Sequence, residues 1–261
     1  MAERITAPAF VAKKAKGERI VMITAYDATF AEIADEAGFD AILVGDSLGN
    51  VVLGYPSTIP VTLGEMVHHL RAARAGVRRS LLIADLPFGS YQAGVNAAVE
   101  SAVALMKAGA DAVKLEGNYF DEIAAINKAG IPVMGHFGFT PQSVHQFGGH
   151  KVQGRGDQAE SIITATKQAE MAGIFGLVLE LIPAELAKRI TQELSVPTIG
   201  IGAGIECDGQ VQVITDVLGL GPMKYKHAGK FMDGRSLVTN ALTAYRDAVV
   251  NAEFPTEQNS F

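Results

Sequence analysis

Four charged residues stand at or just beyond the ends of three short apolar runs: Asp46 after 41–44, Asp85 after 81–84, and Lys114 with Glu116 around 112–115. Carboxylates converging from successive strand ends repel one another strongly unless a cation sits among them. A donor set made only of oxygens, without paired His or Cys, suits a hard ion such as Mg²⁺ better than Zn²⁺. Asp46, Asp85 and Glu116 are therefore the candidate metal residues. The competing reading is local: each acid caps the helix that follows or pairs with a nearby lysine.

Glu180 closes another apolar run, behind Leu177, Val178 and Leu179 and ahead of Leu181, Ile182 and Pro183. Apolar surroundings raise a carboxyl pKa and suit a general base, while an ion-paired structural glutamate is the alternative. Lys114 has three readings: a Schiff-base amine, an anchor for a substrate carboxylate, or half of a Lys–Glu pair. His136 opens a long loop and is placed to hydrogen-bond a substrate oxygen, unless it is a satisfied core residue. Gly200 to Gly204 form a glycine-rich turn that either admits an anion to backbone N–H groups or avoids clashes with a neighbouring loop. It lacks the ending of a nucleotide P-loop. His68 and His69 fall in a helical pattern, and His145 and His150 lack metal-ligand spacing.

The elements that must position these residues are legible as alternation. Apolar runs at 20–24, 41–44, 81–84, 112–115, 132–134, 176–179, 197–200 and 213–217 predict strands. Helical periodicity fills 27–37, 63–75, 95–108, 157–172, 184–194 and 235–250, with Phe30, Ile33, Ala34 and Ala37 expected on one face and Gly38 as a stop. Continuous apolar strands alternating with helices describe a parallel sheet covered by helices. Eight such units in one chain predict an α/β fold, a (β/α)₈ TIM barrel forming a single domain over 1–261, with an extra N-terminal helix at 8–16. No dinucleotide turn follows the first strand, which disfavours a doubly wound sheet. The long connections 45–62 and 135–156 follow strands, so both belong to the C-terminal face where barrel enzymes keep their active sites.

Composition sets the remaining bounds. The chain has 261 residues, 48% of them hydrophobic, and a net charge of −6, which argues against nucleic acid as a partner. Its one cysteine, Cys207, rules out an intrachain disulfide and a cysteine metal site. Residues 1–10 lack the apolar core of a signal peptide, and no apolar run is long enough to span a membrane. A cytoplasmic protein without membrane attachment is expected.

Several longer stretches resemble the ketopantoate hydroxymethyltransferase family: ITAYDATFA at 23–31, VGDSLGNVVLGYPSTIPVT at 44–62, ADLPFGSYQ at 84–92 and VKLEG at 113–117. The series continues with GHFGFTPQSVHQFGGHKVQGR at 135–155, LVLELIP at 177–183, IGIGAG at 199–204 and DGQV at 208–211. The resemblance spans essentially the whole chain, in order. It implies a barrel of the phosphoenolpyruvate/pyruvate superfamily type, Mg²⁺ as cofactor, and hydroxymethyl transfer from 5,10-methylenetetrahydrofolate to 3-methyl-2-oxobutanoate, giving 2-dehydropantoate for pantothenate and coenzyme A. It also implies roles. Asp46 and Asp85 look like direct metal ligands that also meet the substrate, Glu116 like a metal-site acid acting through water, Ser47 and Lys114 like substrate-binding residues, and Glu180 like the proton acceptor. A homodecamer, a pentamer of dimers, is implied as well. The pattern departs at 220–231, where Gly229 precedes Lys230-Phe231 and the family has a proline, so the shape of that loop does not carry over. Two other readings compete: a Mg²⁺-dependent lyase or mutase of the same superfamily, and a non-catalytic oxo-acid-binding barrel. The first is disfavoured because Cys207 lies outside the long loops, the second because a binding module has no use for a base at position 180.

Overall fold

A computed structural model describes residues 4–221 and 225–261. Contacts divide the chain into two units, Met1–Val213 and Ile214–Phe261. The first unit begins with α1 (Ala7–Ala15), β1 (Ile20–Thr24), α2 (Ala28–Glu36), β2 (Ala41–Val44), α3 (Leu48–Val51), α4 (Leu63–Gly76) and β3 (Leu81–Asp85). It continues with α5 (Val95–Ala108), β4 (Ala112–Lys114), α6 (Phe120–Lys128), β5 (Val133–Gly138), a 3-10 turn (Pro141–Ser143) and α7 (Val144–Phe147). It ends with α8 (Gln158–Met171), β6 (Gly176–Glu180), α9 (Ala184–Glu193), β7 (Thr198–Ile201) and β8 (Gly209–Gln212). The eight strands close in sequence order into a parallel barrel, with β8 returning to β1.

Strand parity builds the interior. Met22, Leu43, Ile83, Ala112, Met134, Val178, Ile199 and Val211 share one buried cluster. Side chains two residues further along a strand face the same way, one level higher. That level holds Asp85, Lys114, His136 and Glu180, so the packing that fixes the core also aims these four at the barrel mouth. At the opposite end α1 seals the barrel, with Phe10 fully buried in the same cluster and set edge-on to Phe175 at 5.7 Å between ring centroids.

Three expectations need correction. The eighth strand is Gly209–Gln212, and residues 214–217 are the helical turn α10 (Ile214–Val217) of the second unit. A Cβ at Gly209 would stand 2.4 Å from the Ile20 carbonyl oxygen, so glycine is what lets β8 reach β1, and the polar Gln210 and Gln212 hide the strand from an apolar reading. The fifth strand runs on to Gly138, which puts His136 inside the sheet rather than at the start of a loop. Helix α2 buries Ala31, Ala34 and Asp35 while Ile33 is exposed. The helix is rolled because the Asp35 carboxylate accepts backbone N–H bonds from Arg78, Arg79 and Ser80 at 2.7–3.1 Å.

Helix starts follow the local chemistry. Asp27 caps α2 through the Phe30 N–H at 2.9 Å, and Thr62 with Glu65 forms a reciprocal capping box on α4. In the second unit α10 is followed by α11 (Gly234–Val250), whose first N–H bonds the Leu218 carbonyl. Of the divergent stretch 220–231, residues 222–224 lie outside the described residues. No helix among the described residues is long and apolar enough to cross a membrane.

Candidate active site

The polar residues at the barrel mouth form a continuous chain around four neighbouring strands. Lys114 Nζ lies 2.8 Å from Asp85 Oδ1 and 3.3 Å from His136 Nδ1. His136 Nδ1 is 3.3 Å from Glu116 Oε1, and His136 Nε2 is 3.4 Å from Glu180 Oε2. Asp46 joins from β2, where its backbone N–H donates to Asp85 Oδ2 at 3.0 Å. Asp46, Asp85, Lys114, Glu116 and His136 are all buried, whereas the Glu180 side chain keeps 16% of its exposure. The six residues anticipated around the mouth are thus brought together. Ser47, the seventh, starts α3 and shares a 2.9 Å hydrogen bond with the buried Tyr26 hydroxyl.

Two backbone features steer Glu180. Gly138, the β5 residue in register with it, has a positive φ, and a Cβ there would fall 2.2 Å from the Glu180 carbonyl oxygen. Leu181 takes the left-handed conformation, at φ 46°, and is held by bonds from its N–H to Ile201 and from Gln153 to its carbonyl. A non-glycine residue there costs on the order of 1–3 kcal/mol, and the turn it makes ends β6 with the Glu180 carboxylate at the rim.

Burial and crowding set the charges. Burial pushes the Asp46 carboxyl well above the usual range, and the neighbouring Asp85 and Glu116 push it further. Burial also raises Asp85, although Lys114 opposes the shift. At Glu116 burial is outweighed by His136, Lys114 and the Gln142 N–H, and its carboxyl sits low. Burial and Lys114 oppose a charged imidazole at His136, yet Glu116 and Glu180 prevail and lift it to about 9. With His136 charged, its Nδ1–H donates to Glu116, and the contact with Lys114 is a repulsion rather than a hydrogen bond. Lys114 stays protonated because Asp85, Glu116 and Asp46 outweigh its burial.

The test for a metal is whether this donor set suits one. Among the described residues no group of three His, Cys, Asp or Glu is drawn together as a ready-made shell. Glu116 is turned toward His136 and the Gln142 N–H, leaving Asp46 and Asp85 as the adjacent pair. Among the described residues, Asp85 Oδ1 is buried with no hydrogen bond beside its Lys114 ion pair, and His136 Nε2 has none beside its ion pair with Glu180. Two buried carboxylates of raised pKa, with an under-satisfied oxygen, fit a hard divalent ion that takes its remaining ligands from a bound molecule and water.

Sequence reasoning missed the groups that bind these acids together. The buried Gln142 donates its side-chain N–H to Asp46 Oδ2 at 2.9 Å and to the Leu86 carbonyl at 3.0 Å, and its backbone N–H to Glu116 Oε2 at 3.0 Å. Its side-chain oxygen accepts from the Tyr91 hydroxyl at 2.7 Å, and that hydroxyl accepts from the Glu116 N–H. Both residues lie within motifs quoted above, yet neither type signals chemistry and both sit in loops that carry no period. Other candidates are structural. His69 bonds the Tyr26 carbonyl, and His150 packs on Phe139. Cβ atoms at Gly200 and Gly204 would meet Gln210 and Cys207, and Ala184, so packing accounts for those glycines. Cys207 is fully buried and its thiol is pushed up by burial.

Comparison with known proteins identifies the family and the fold. A family model described as ketopantoate hydroxymethyltransferase matches residues 4–257. Relatives named 3-methyl-2-oxobutanoate hydroxymethyltransferase include one from Moorella thermoacetica, 51% identical over 99% of this chain and 98% of the relative. Another, from Thermosipho melanesiensis, is 49% identical over 98% of each. Among solved structures, a phosphonopyruvate hydrolase complexed with oxalate and Mg²⁺ superposes with a TM-score of 0.63 at 15% identity, covering 97% of this chain and 92% of that one. A 2,3-dimethylmalate lyase, a member of the PEP mutase/isocitrate lyase superfamily, has a TM-score of 0.57 at 18% identity over 98% of this chain and 91% of that one. At such identities the structural likeness speaks for the fold.

Proposed function

The chain belongs to the ketopantoate hydroxymethyltransferase family, and on that premise we propose that it transfers a hydroxymethyl group from 5,10-methylenetetrahydrofolate to 3-methyl-2-oxobutanoate, forming 2-dehydropantoate. The observation that carries this reading is the polar chain from Asp85 through Lys114 and His136 to Glu180, which supports a cation site at its Asp85 end and a base at its Glu180 end. Asp46 and Asp85, with Glu116 behind them, would hold Mg²⁺, which when bound supplies Lewis acidity to the keto oxygen and carboxylate of a 2-oxo acid.

The protein's own groups do the rest. Lys114, kept charged beside Asp85, offsets negative charge on the substrate carboxylate or keto oxygen, and Ser47 contributes a hydroxyl at the end of β2. Glu180 takes the proton from C3, since it is the acid of the group whose carboxylate reaches the open face. His136 pairs its charge with Glu116 and Glu180 and so holds the base in place. The electron pair released at C3 forms the new C–C bond to the folate-borne methylene as the first of that carbon's two C–N bonds breaks. The second C–N bond breaks as one water supplies the hydroxyl, and the proton taken from C3 and the one released by the water pass to the two carrier nitrogens.

Exchange of the C3 proton for solvent deuterium isolates the first step. Purified protein with Mg²⁺ exchanges it in 3-methyl-2-oxobutanoate, and Glu180→Gln abolishes the exchange. Wild-type protein that shows none, with or without tetrahydrofolate, removes the reading. The same reading places the reaction in cytoplasmic pantothenate and coenzyme A synthesis, carried out by a homodecamer built as a pentamer of dimers. Sedimentation at ten times the mass of one chain checks the assembly.

A further inference from the structure

Glu180 is gripped from behind by main chain. Its carbonyl accepts from the Phe139 N–H at 2.8 Å, and the next residue, Leu181, donates its N–H to the Ile201 carbonyl at 3.0 Å and accepts from the Gln153 N–H at 3.0 Å. Three segments therefore meet at one turn: the chain just past β5, the end of β7, and the loop that leads to α8. Leu181 sits at φ 46°, where an L side chain crowds its own backbone. Such a conformation persists only where the surroundings over-determine it, and these three bonds do so here.

Two of the three grips lead into the same loop. The buried ring of Phe139 lies 5.9 Å from that of Phe147 and 4.9 Å from that of His150, between ring centroids. Gln153 comes a few residues later, and its place is set by its neighbour. Gly154 has a φ of 78° and runs so close to α8 and α9 that a Cβ there would strike Ile162 and Leu186. Only glycine allows that approach, and the approach delivers the Gln153 N–H to Leu181. The seating of the loop on the barrel and the shape of the turn behind Glu180 are thus one arrangement.

We propose that Leu181 is a positioning residue for proton abstraction and that the loop 147–156 is the catch that holds it. With Gln153 seated, the strained turn keeps the Glu180 carboxylate at the rim; with Gln153 displaced, the turn relaxes and the base withdraws from C3. The inference rests on the proposed role of Glu180. The oxo acid itself is held at the other end of the polar chain, by Asp46, Asp85 and Lys114, so the effect of the catch belongs in kcat and not in KM.

Deuterium exchange at C3 with Mg²⁺ present reads the base alone. Leu181→Val puts a β-branched side chain where a positive φ is least tolerated. Its kcat for exchange falls about 100-fold, while KM for 3-methyl-2-oxobutanoate stays within about twofold. Leu181→Asn also removes the leucine side chain but accepts the left-handed backbone, and it exchanges at least about tenfold faster than Leu181→Val. Gly154→Ala, made far from the reacting atoms, lifts Gln153 off Leu181 and lowers kcat with KM again unmoved. A Mg²⁺-dependent rise in thermal midpoint, retained in each variant, shows that the fold and the ion site are intact. Equal rates for Leu181→Val and Leu181→Asn, a wild-type rate in Gly154→Ala, or losses carried by KM overturn the proposal. Wild-type protein that exchanges nothing removes the role of Glu180 itself. Exchange by wild type alongside indifferent variants leaves the reaction standing and removes the catch.

Discussion

At the scale of single residues, the site is a set of like charges kept apart by a few neutral donors. Gln142 is the clearest of these, since one side chain and its own N–H hold Asp46, Glu116 and Tyr91 in register. Gln142→Leu would leave Asp46 Oδ2, the Leu86 carbonyl and the Tyr91 hydroxyl without their buried partner. The expected loss of stability is roughly 2–4 kcal/mol, read from the urea midpoint, together with a higher Mg²⁺ concentration at half-saturation. A variant that unfolds and binds Mg²⁺ like wild type would show that Gln142 holds nothing. Lys114 offers a second test. Lys114→Met leaves buried Asp85 without its cation, and breaking a buried ion pair from one side costs about 3–5 kcal/mol. Its thermal midpoint should fall well below that of wild type, and exchange should be lost. The acids, Lys114 and Glu180 were legible because each stands at or just beyond the end of an apolar run. Gln142 and Tyr91 were not, because only the fold brings positions 91 and 142 beside position 46.

At the scale of elements, reading succeeded where burial on both faces makes a strand uniformly apolar. It failed where close approach or polarity breaks the run, as at Gly209–Gln212. Helix α2 shows a different limit. Its apolar periodicity pointed Ile33 inward, but three backbone N–H groups ahead of β3 need an acceptor, and Asp35 supplies it. Charge-assisted bonds of this kind are worth about 1.5–3 kcal/mol each, more than the burial of one partly covered isoleucine. Burial of Asp35 acts upward on its carboxyl, but the hydrogen bonds from residues 78–80 outweigh it and hold the folded pKa below the ordinary aspartate value. A lowered folded pKa means stability that is present above the unfolded value and lost as pH falls through the folded one. Asp35→Asn should therefore be less stable than wild type at pH 6–7. The gap between their urea midpoints should close as the pH drops below about 3.8. A gap that persists into acid would assign the loss to packing instead.

At the scale of the whole molecule, the barrel spends stability on its mouth. Asp46, Asp85 and Glu116 lie buried near Lys114 and the charged His136, and the carboxyls of Asp46 and Asp85 are raised, chiefly by burial and then by neighbouring acids. The barrel tolerates this because its interior below, which includes Phe10 and Ile83, is one contiguous cluster of buried apolar side chains. Two opposite effects of one substitution follow. In chelated protein, Asp46→Asn removes a like charge while retaining an oxygen, and its amide can still meet Gln142. Its thermal midpoint should rise by about 2–4 °C for each kcal/mol of repulsion relieved. In wild type, Mg²⁺ at a hundred times its Kd should stabilise the fold by about 2.7 kcal/mol, and 3-methyl-2-oxobutanoate should add to the shift. Asp46→Asn should lose most of that ligand-dependent shift and all exchange activity. A variant more stable when empty and indifferent to Mg²⁺ is the signature of a site whose acids are kept for chemistry at the expense of stability. Equal destabilisation with and without the ion would instead make Asp46 a structural cap.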